Sequence, residues 1–207
     1  MLVPSSGGIY AITDCLNLSN HQLIEKSESI LRNGAMLFQY RNKNYNVVNN
    51  IELVKELKSL CKQFSVPFII NDDVELARQV AADGIHLGKN DRDLPSTREY
   101  LGSVIIGVSC YNNIKRAIEA KKSGVDYIAF GSFFPSQTKP DAVKADVEIL
   151  TQAKNELDLP IVAIGGITPE NGKVLLDAGA DFLAVINGLY SVIDTETAVK
   201  QYKNLFN

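Results

Sequence analysis

Eight short apolar segments, rich in isoleucine, valine and phenylalanine, alternate along the chain with longer amphipathic segments. The apolar segments are residues 8–13, 36–41, 67–71, 84–87, 105–109, 127–130, 161–164 and 182–186. Their length and near-continuous hydrophobicity predict strands that are buried on both faces, as in a parallel sheet covered by helices.

The segments between the predicted strands carry helical patterns. One of them has apolar residues at helical spacing: Leu53, Val54, Leu57, Leu60 and Cys61. A later one, with Val174, Leu175 and Ala178, follows Thr168-Pro169. We interpret that pair as a helix N-cap followed by proline at the first helical position.

A weak internal repeat supports the same architecture. Glycine-containing turns at residues 33–35, 82–84, 123–126 and 178–181 each precede a predicted strand, and glycine suits the residue that ends a helix. These turns would lie at the N-terminal ends of the strands, so we interpret them as structural. Eight strand–helix units in 207 residues predict one (β/α)₈ TIM barrel domain, residues 1–207. A doubly wound α/β sheet is the alternative, because counting units does not prove closure.

Composition narrows the functional classes. The chain is 45% hydrophobic with a net charge of −3, which fits one globular domain and gives no sign of a nucleic-acid surface. The first residues lack the pattern of a signal peptide, and no apolar run approaches the roughly 18 residues that span a membrane. Cys15, Cys61 and Cys110 have no metal-binding spacing, so we expect thiols in a cytoplasmic protein. Association into a homo-oligomer is left open.

In either fold, functional residues belong at the C-terminal ends of the strands. Cations lie there at Arg41 and Lys43 after the second strand and at Lys139 after the sixth. Glycine turns follow the seventh and eighth strands, where such barrels often bind phosphate with backbone N–H groups. The pattern therefore predicts a phosphorylated small molecule as substrate.

Carboxylates follow the third and fourth strands, at Asp72 and Asp91. Carboxylates beside a phosphate would repel it unless a cation lies between them. Mg²⁺ typically takes one or two carboxylates together with substrate phosphate oxygens. We therefore expect Mg²⁺ and either a diphosphate or two phosphorylated substrates.

Each of these residues also has a purely structural interpretation. Asp72 or Asp73 could cap the helix that starts at Val74, and Asp73 is the better candidate. His86 lies in an apolar run and is interpreted as a satisfied histidine of the barrel interior. Cys110 is interpreted as a small buried side chain, since no cysteine–histidine signature accompanies it. Considered alone, Lys43 and Lys139 would be solvated loop lysines, and Gly165-Gly166 would be a tight turn.

Taken in order, the strand-end segments resemble those of the thiamine-phosphate synthase family. The matching segments are residues 10–14 (YAITD), 39–43 (QYRNK), 69–73 (IINDD), 84–88 (GIHLG) with Asp91, 106–109 (IGVS), 130–139 (FGSFFPSQTK) and 163–167 (AIGGI). They cover nearly the whole chain. Each is weak alone, but their ordered set is specific.

The resemblance implies a (β/α)₈ barrel that requires Mg²⁺. Its reaction joins an aminopyrimidine, activated as a methyl diphosphate, to the nitrogen of a thiazole phosphate, giving thiamine phosphate and pyrophosphate. Pyrophosphate would leave first, and the thiazole nitrogen would capture the resulting pyrimidine methyl cation. Such a step needs stabilisation of the leaving group rather than a protein nucleophile.

The resemblance also implies roles for individual residues. The pyrimidine diphosphate would be held by Gln39, Arg41, Lys43 and Asn71, and its diphosphate group would also contact Ser109 and Lys139. The residues expected to act in catalysis are Lys139, Ser109, Arg41 and Lys43. Mg²⁺ would be held by Asp72 and Asp91. The thiazole phosphate would be bound by Ser136, Thr138, Gly166, Ile186 and Asn187. Residues 132–143 are expected to form a lid over the substrates.

Four positions depart from the family pattern: Lys89 stands where glutamine is usual, Cys110-Tyr111 replaces a common Thr-His, and Asn187 replaces a common serine. They concern fine positioning rather than the reaction. A thiazole tautomerase of the same superfamily is a competing function, but that branch tends to lose the acidic ligands and the lysine, all present here. A non-catalytic phosphate-binding protein is a third candidate, and it would not need the carboxylates.

Overall fold

A computed structural model describes residues 2–42, 50–88, 93–135 and 144–207. Its parallel strands pair in chain order, and the eighth pairs with the first, so the sheet is a closed barrel. The strands are β1 Gly8–Ile12, β2 Ala35–Tyr40, β3 Phe68–Asn71, β4 Gly84–Leu87, β5 Ile105–Tyr111, β6 Tyr127–Phe130, β7 Ile161–Ile164 and β8 Phe182–Val185. The predicted TIM barrel is confirmed, and closure excludes the doubly wound sheet.

Helices alternate with the strands. They are α1 Asn20–Asn33, α2 Ile51–Gln63, α3 Val74–Gln79, α4 Leu94–Leu101, α5 Ile114–Lys122, α6 Glu148–Glu156, α7 Lys173–Asp177, α8 Asn187–Tyr190 and α9 Thr195–Lys203, followed by a 3₁₀ turn at Asn204–Phe206. None of the helices in the described ranges is long and apolar enough to cross a membrane.

The two sequence predictions for helices had different outcomes. In α2 the expected stripe is buried against the barrel at Leu53, Val54, Leu57 and Cys61, and its fifth residue, Leu60, is partly buried. The N-cap predicted at Thr168 is wrong, because α7 begins only at Lys173. The side chain of Asn171 accepts a hydrogen bond from the Thr168 N–H at 2.8 Å, so Thr168-Pro169 opens a turn instead.

Strand alternation divides the apolar residues into two cores. Outward residues such as Ile9 and Ala11 pack under the helices, while Tyr10 and Ile12 point into the barrel. The interior cluster comprises Tyr10, Ile12, Leu37, Ile69, Ile105, Tyr127, Ala129, Val162, Phe182 and Ala184. Full burial of one aliphatic or aromatic side chain contributes about 1.5–3 kcal/mol, so these layers account for much of the driving force for folding.

The N-terminal end of the barrel has a repeated aspartate. Asp83 precedes β4, and its carboxylate accepts from the first N–H of β3, at Phe68, at 2.9 Å. The Asp126 carboxylate accepts from the N–H of Ile106, the second residue of β5, at 2.8 Å, and the Asp181 carboxylate accepts from Ile161, the first residue of β7, at 2.9 Å. The turns that contain these aspartates are therefore structural, as predicted.

Candidate active site

The C-terminal ends of the strands form one rim of the barrel, which we call the mouth. The described residues with predicted roles that lie at or just inside this rim are Gln39, Arg41, Asn71, Asp72, Ser109, Gly166, Ile186 and Asn187. Five others, Lys43, Asp91, Ser136, Thr138 and Lys139, lie outside the described residues. The predicted lid, residues 132–143, is described only to Pro135.

The end of β2 is fixed by the residue that follows β1. The buried Thr13 hydroxyl donates to the Arg41 carbonyl oxygen at 3.1 Å and accepts from the Arg41 N–H at 2.8 Å. Its backbone N–H donates to the Gln39 carbonyl oxygen at 3.0 Å. Thr13 thus sets the backbone on both sides of Tyr40, and it positions two predicted substrate-binding residues.

Gln39 points into the barrel below the mouth. It is 2% exposed, and its Nε2 donates to the Tyr10 hydroxyl at 2.7 Å. A buried amide held in this way keeps one orientation, which suits a side chain that selects a substrate ring by hydrogen bonding.

The end of β3 assigns different tasks to two neighbouring aspartates. Asp73 is the N-cap of α3, and its Oδ1 accepts from the Leu76 N–H at 2.9 Å, as predicted. Asp72 lies before it in the left-handed region, with φ +61°, and its N–H donates to the His86 carbonyl oxygen at 2.9 Å. Because Asp73 caps the helix, the capping interpretation no longer applies to Asp72.

Ser109 near the end of β5 is held by its side chain and by its backbone. Its hydroxyl lies 2.9 Å from His86 Nε2, and its carbonyl oxygen accepts from Arg116 Nε at 2.8 Å. Arg116 Nη2 also donates to the carbonyl oxygen of Gly88, the last described residue before the segment that contains Asp91, at 2.9 Å. One guanidinium group therefore joins the ends of β4 and β5.

His86 itself is buried, with 8% exposure, and its ring is hydrogen-bonded at both nitrogens, to Tyr127 and to Ser109. The expectation of a satisfied histidine in the barrel interior is confirmed. The contact with Ser109 was not anticipated, and it connects the interior to the mouth.

The glycines after β7 lie beneath the segment that follows β6. Phe133 and Phe134 donate backbone hydrogen bonds to the carbonyl oxygens of Ile164 and Gly165, at 3.1 and 3.0 Å. A Cβ at Gly165 would come within 1.9 Å of Ser132 Oγ, and one at Gly166 within 2.3 Å of the Pro135 carbonyl oxygen. These glycines therefore permit close packing of the β6 segment, which is a role that the sequence did not reveal.

Cys110 does not take part in the mouth as a nucleophile. It is fully buried, its Sγ lies 3.7 Å from the Val108 carbonyl oxygen, and burial raises the pKa of its thiol to about 12. The interpretation of a small buried side chain is confirmed.

The residues present are compatible with a magnesium ion. Within the described ranges, no cluster of three or more histidine, cysteine, aspartate or glutamate side chains is arranged as a metal site. Asp72 supplies a carboxylate at the mouth, and an ion that completes its shell with substrate phosphate oxygens needs few protein ligands. The oxygen donors of the Asp72 carboxylate are of the kind that Mg²⁺ binds.

Four residues that shape the site had no assigned role in the sequence interpretation: Tyr10, Thr13, Arg116 and Tyr127. Tyr127 offered a signal, since a phenol at an inward position of a short apolar strand requires a hydrogen-bond partner. Arg116 offered no such signal, because it donates to backbone carbonyl oxygens, which every residue type has.

A family model described as thiamine monophosphate synthase matches residues 9–189. A thiamine-phosphate synthase of Methylobacillus flagellatus is 46% identical over 206 residues, covering 99% of this chain and 98% of the relative. Another, from Nitrosococcus oceani, is 44% identical over 200 residues, covering 96% and 92%.

Among solved structures, a thiamine phosphate pyrophosphorylase from Pyrococcus furiosus superimposes with a TM-score of 0.86 at 32% identity. The alignment covers 97% of this chain and 96% of that one. The likeness therefore extends over the whole barrel rather than a part of it.

Proposed function

We propose that this chain, which belongs to the thiamine monophosphate synthase family, catalyses the thiamine-phosphate synthase reaction. An aminopyrimidine methyl diphosphate is joined to the ring nitrogen of a thiazole phosphate, and pyrophosphate is released. The observation that carries this proposal is the match of the family model over residues 9–189, together with relatives of the same name at about 45% identity over nearly the whole chain.

The end of β2 is proposed to bind the pyrimidine diphosphate. Arg41, Lys43 and Asn71 offer donors to the diphosphate, and a guanidinium group suits phosphate because it can donate two parallel hydrogen bonds. Gln39 lies deeper and would recognise the pyrimidine ring. The two hydrogen bonds between the Thr13 hydroxyl and the Arg41 backbone support this assignment, because they fix the backbone from which the guanidinium extends.

Asp72 and Asp91 are proposed to hold Mg²⁺ against the diphosphate. The chemistry that the ion supplies when bound is neutralisation of negative charge on the phosphate oxygens. The assignment of Asp72 is supported by its position after β3 and by the use of the neighbouring Asp73 as a helix cap.

In the proposed reaction, the bond between the methylene carbon and the diphosphate oxygen breaks, and the electron pair leaves with pyrophosphate. Ser109, Lys139, Arg41 and Lys43 would stabilise the charge that develops on the leaving group. The thiazole nitrogen then supplies the electron pair for the new carbon–nitrogen bond. No thiol nucleophile is required, which is consistent with the buried, protonated state of Cys110.

The thiazole phosphate is proposed to lie beside β6, β7 and β8, where Ser136, Thr138, Gly166, Ile186 and Asn187 offer hydroxyl, amide and backbone donors. Binding both substrates in one water-poor mouth brings the nitrogen close to the methylene carbon, and such alignment lowers the entropic part of the barrier. A cytoplasmic setting is also part of the proposal, because all three cysteines are free thiols.

The direct test is synthesis by the purified protein. With Mg²⁺ and both substrates we expect thiamine phosphate and pyrophosphate in equal amounts, detected by liquid chromatography, and loss of both products when the ion is chelated. If the protein binds thiazole phosphate tightly but forms no thiamine phosphate, the proposed reaction is wrong and a binding protein is the better description.

A further inference from the structure

A chain of hydrogen-bonded side chains crosses the barrel interior from β2 to β5. Gln39 Nε2 donates to the Tyr10 hydroxyl at 2.7 Å, and that hydroxyl lies 2.7 Å from the Tyr127 hydroxyl. The Tyr127 hydroxyl lies 2.9 Å from His86 Nδ1, and His86 Nε2 lies 2.9 Å from Ser109 Oγ. The two ends of the chain are residues that we assign to substrate binding.

The chain is enclosed at its centre. Tyr10 is 1% exposed, and Tyr127 is fully buried. Burial raises the pKa of both phenols far above neutrality, so each keeps its single hydrogen. A buried hydroxyl hydrogen without an acceptor is unfavourable, and therefore each phenol is expected to donate once within the chain.

This restriction gives the chain a direction. Because the Tyr10 oxygen accepts from Gln39, its hydrogen is donated to Tyr127, and the Tyr127 hydrogen in turn is donated to His86 Nδ1. His86 Nδ1 is then an acceptor, and the proton of the neutral imidazole lies on Nε2. That N–H donates to Ser109 Oγ, which leaves the serine hydrogen available for an acceptor at the mouth.

The ring of Tyr127 is held in one place by its surroundings. His86 stacks on it with ring centroids 5.5 Å apart, and Tyr10 meets it edge-on at 5.8 Å. Gly107, its partner in the register of β5 and β6, provides the room, because a Cβ there would lie 1.9 Å from Tyr127 Cζ. The position of the hydroxyl is therefore set by packing as well as by hydrogen bonding.

We propose that Tyr127 is a positioning residue for the reaction. Through His86 it orients the Ser109 hydroxyl so that its hydrogen points to an anionic oxygen of the substrate diphosphate. This inference rests on the proposed function for the identity of that anion. The tautomer of His86, in contrast, is a property of the free protein and can be measured without substrates.

Nuclear magnetic resonance of the histidine nitrogens tests the tautomer directly. The chain has two histidines, and His21 is exposed on α1, so the variant His21→Gln leaves His86 as the single signal. At about pH 8.5, roughly two pH units above the usual imidazole pKa, we expect a protonated Nε2 and an unprotonated Nδ1. A proton on Nδ1 would overturn the proposal, even if no further variant folds.

Adding Tyr127→Phe to this background removes the hydroxyl but keeps the ring. We expect a mixture of the two tautomers and a fall in kcat of roughly tenfold, with KM for the thiazole phosphate changed less than about twofold. An unchanged tautomer, or an unchanged kcat, would contradict the positioning role.

Tyr190→Phe is the matched control. Its buried hydroxyl makes a side-chain hydrogen bond to Ser27 at 2.9 Å, away from the chain that contains His86, whereas the Tyr127 hydroxyl makes two. We expect a similar loss of thermal stability in this variant with neither the tautomer nor kcat altered. If His21→Gln protein makes no thiamine phosphate, the proposed function fails, whereas active protein with the wrong tautomer fails this inference alone.

Discussion

The hydroxyl of Thr13 makes hydrogen bonds with both polar backbone groups of Arg41: it donates to the carbonyl oxygen at 3.1 Å and accepts from the N–H at 2.8 Å. The side chain of Thr13, which follows β1, thus bonds the backbone at the end of β2 in the way that a further residue of β1 would. This places the proposed diphosphate-binding arginine on a fixed backbone, although it lies beyond the end of β2.

Thr13→Val is therefore expected to affect both stability and activity. The substitution keeps the shape but leaves the backbone groups of Arg41 without the hydroxyl, which should lower the free energy of unfolding by about 1–3 kcal/mol. We expect kcat/KM for the pyrimidine diphosphate to fall as well. Thr13→Ser, which retains the hydroxyl, should recover most of both in urea unfolding and steady-state kinetics.

Arg116 should be required for activity although it is not expected to touch a substrate. Lysine cannot donate in two fixed directions, so Arg116→Lys loses the link between the Gly88 and Ser109 carbonyl oxygens. We expect kcat to fall by roughly tenfold or more. Lys115→Ala, which removes a neighbouring exposed cation, is the control, and an equal loss in both variants would show a general charge effect.

Substitutions at Asp72 and Asp73 should have different effects, the first on turnover and the second on stability. Asp72→Asn suits the left-handed backbone at that position, and we expect it to lose most turnover at low Mg²⁺ while its melting temperature is kept. Asp73→Ala removes the cap of α3 and should lower the free energy of unfolding by about 1 kcal/mol with turnover retained. Near-normal rates for Asp72→Asn at low Mg²⁺ would refute its assignment as a metal ligand.

Gly165→Ala should disturb the mouth more than the same substitution at Gly124, another glycine with positive φ. Both Gly165 and Gly124 have positive φ, +108° and +75°, but a Cβ has open space at Gly124 and collides with Ser132 at Gly165. Gly124→Ala should therefore be unfavourable by about 1 kcal/mol from backbone strain alone. Gly165→Ala should be worse by several kcal/mol and should also raise KM for thiazole phosphate; equal effects would argue against the packing role.

Alkaline pH should destabilise the barrel through its buried thiols. The pKa of Cys110 is raised to about 12 in the folded protein, so its thiol stays protonated while an unfolded chain ionises from about pH 9. The stability that this thiol contributes is complete below pH 9 and is lost as pH rises towards 12. In Cys110→Ala, the decrease in the free energy of unfolding between pH 8 and 10, measured by urea unfolding, should be smaller by about 1 kcal/mol. The kcat of this variant at neutral pH should be unchanged.

The sequence predicted the elements of this fold better than their connections. The bounds of β4, β6 and β7 agree with the apolar segments residue for residue, because a strand buried on both faces has to be apolar throughout. The capping aspartate at Asp73 was also predictable, since its donor lies three residues away. The prediction at Thr168 failed because the chain makes a turn at residues 169–171 before α7 begins at Lys173.

The interior chain could not be predicted, since Tyr10 and Tyr127 are 117 residues apart and only the register of the closed barrel brings their hydroxyls together. Likewise, nothing local indicates that Arg116 bonds the carbonyl oxygens of two different strands. Tyr10 and Thr13 lie in a segment that resembles the family, but the neighbours on which they act are brought to them only by the fold.

The three aspartates at the N-terminal end of the barrel also have an evolutionary consequence. Asp83, Asp126 and Asp181 join adjacent strands at the end opposite to the mouth, away from the residues that we assign to substrate binding. Residues at the rim can therefore change to suit new substrates while the hydrogen bonds of these aspartates between the strands stay the same. Such a division lets a lineage explore new reactions without first rebuilding its scaffold.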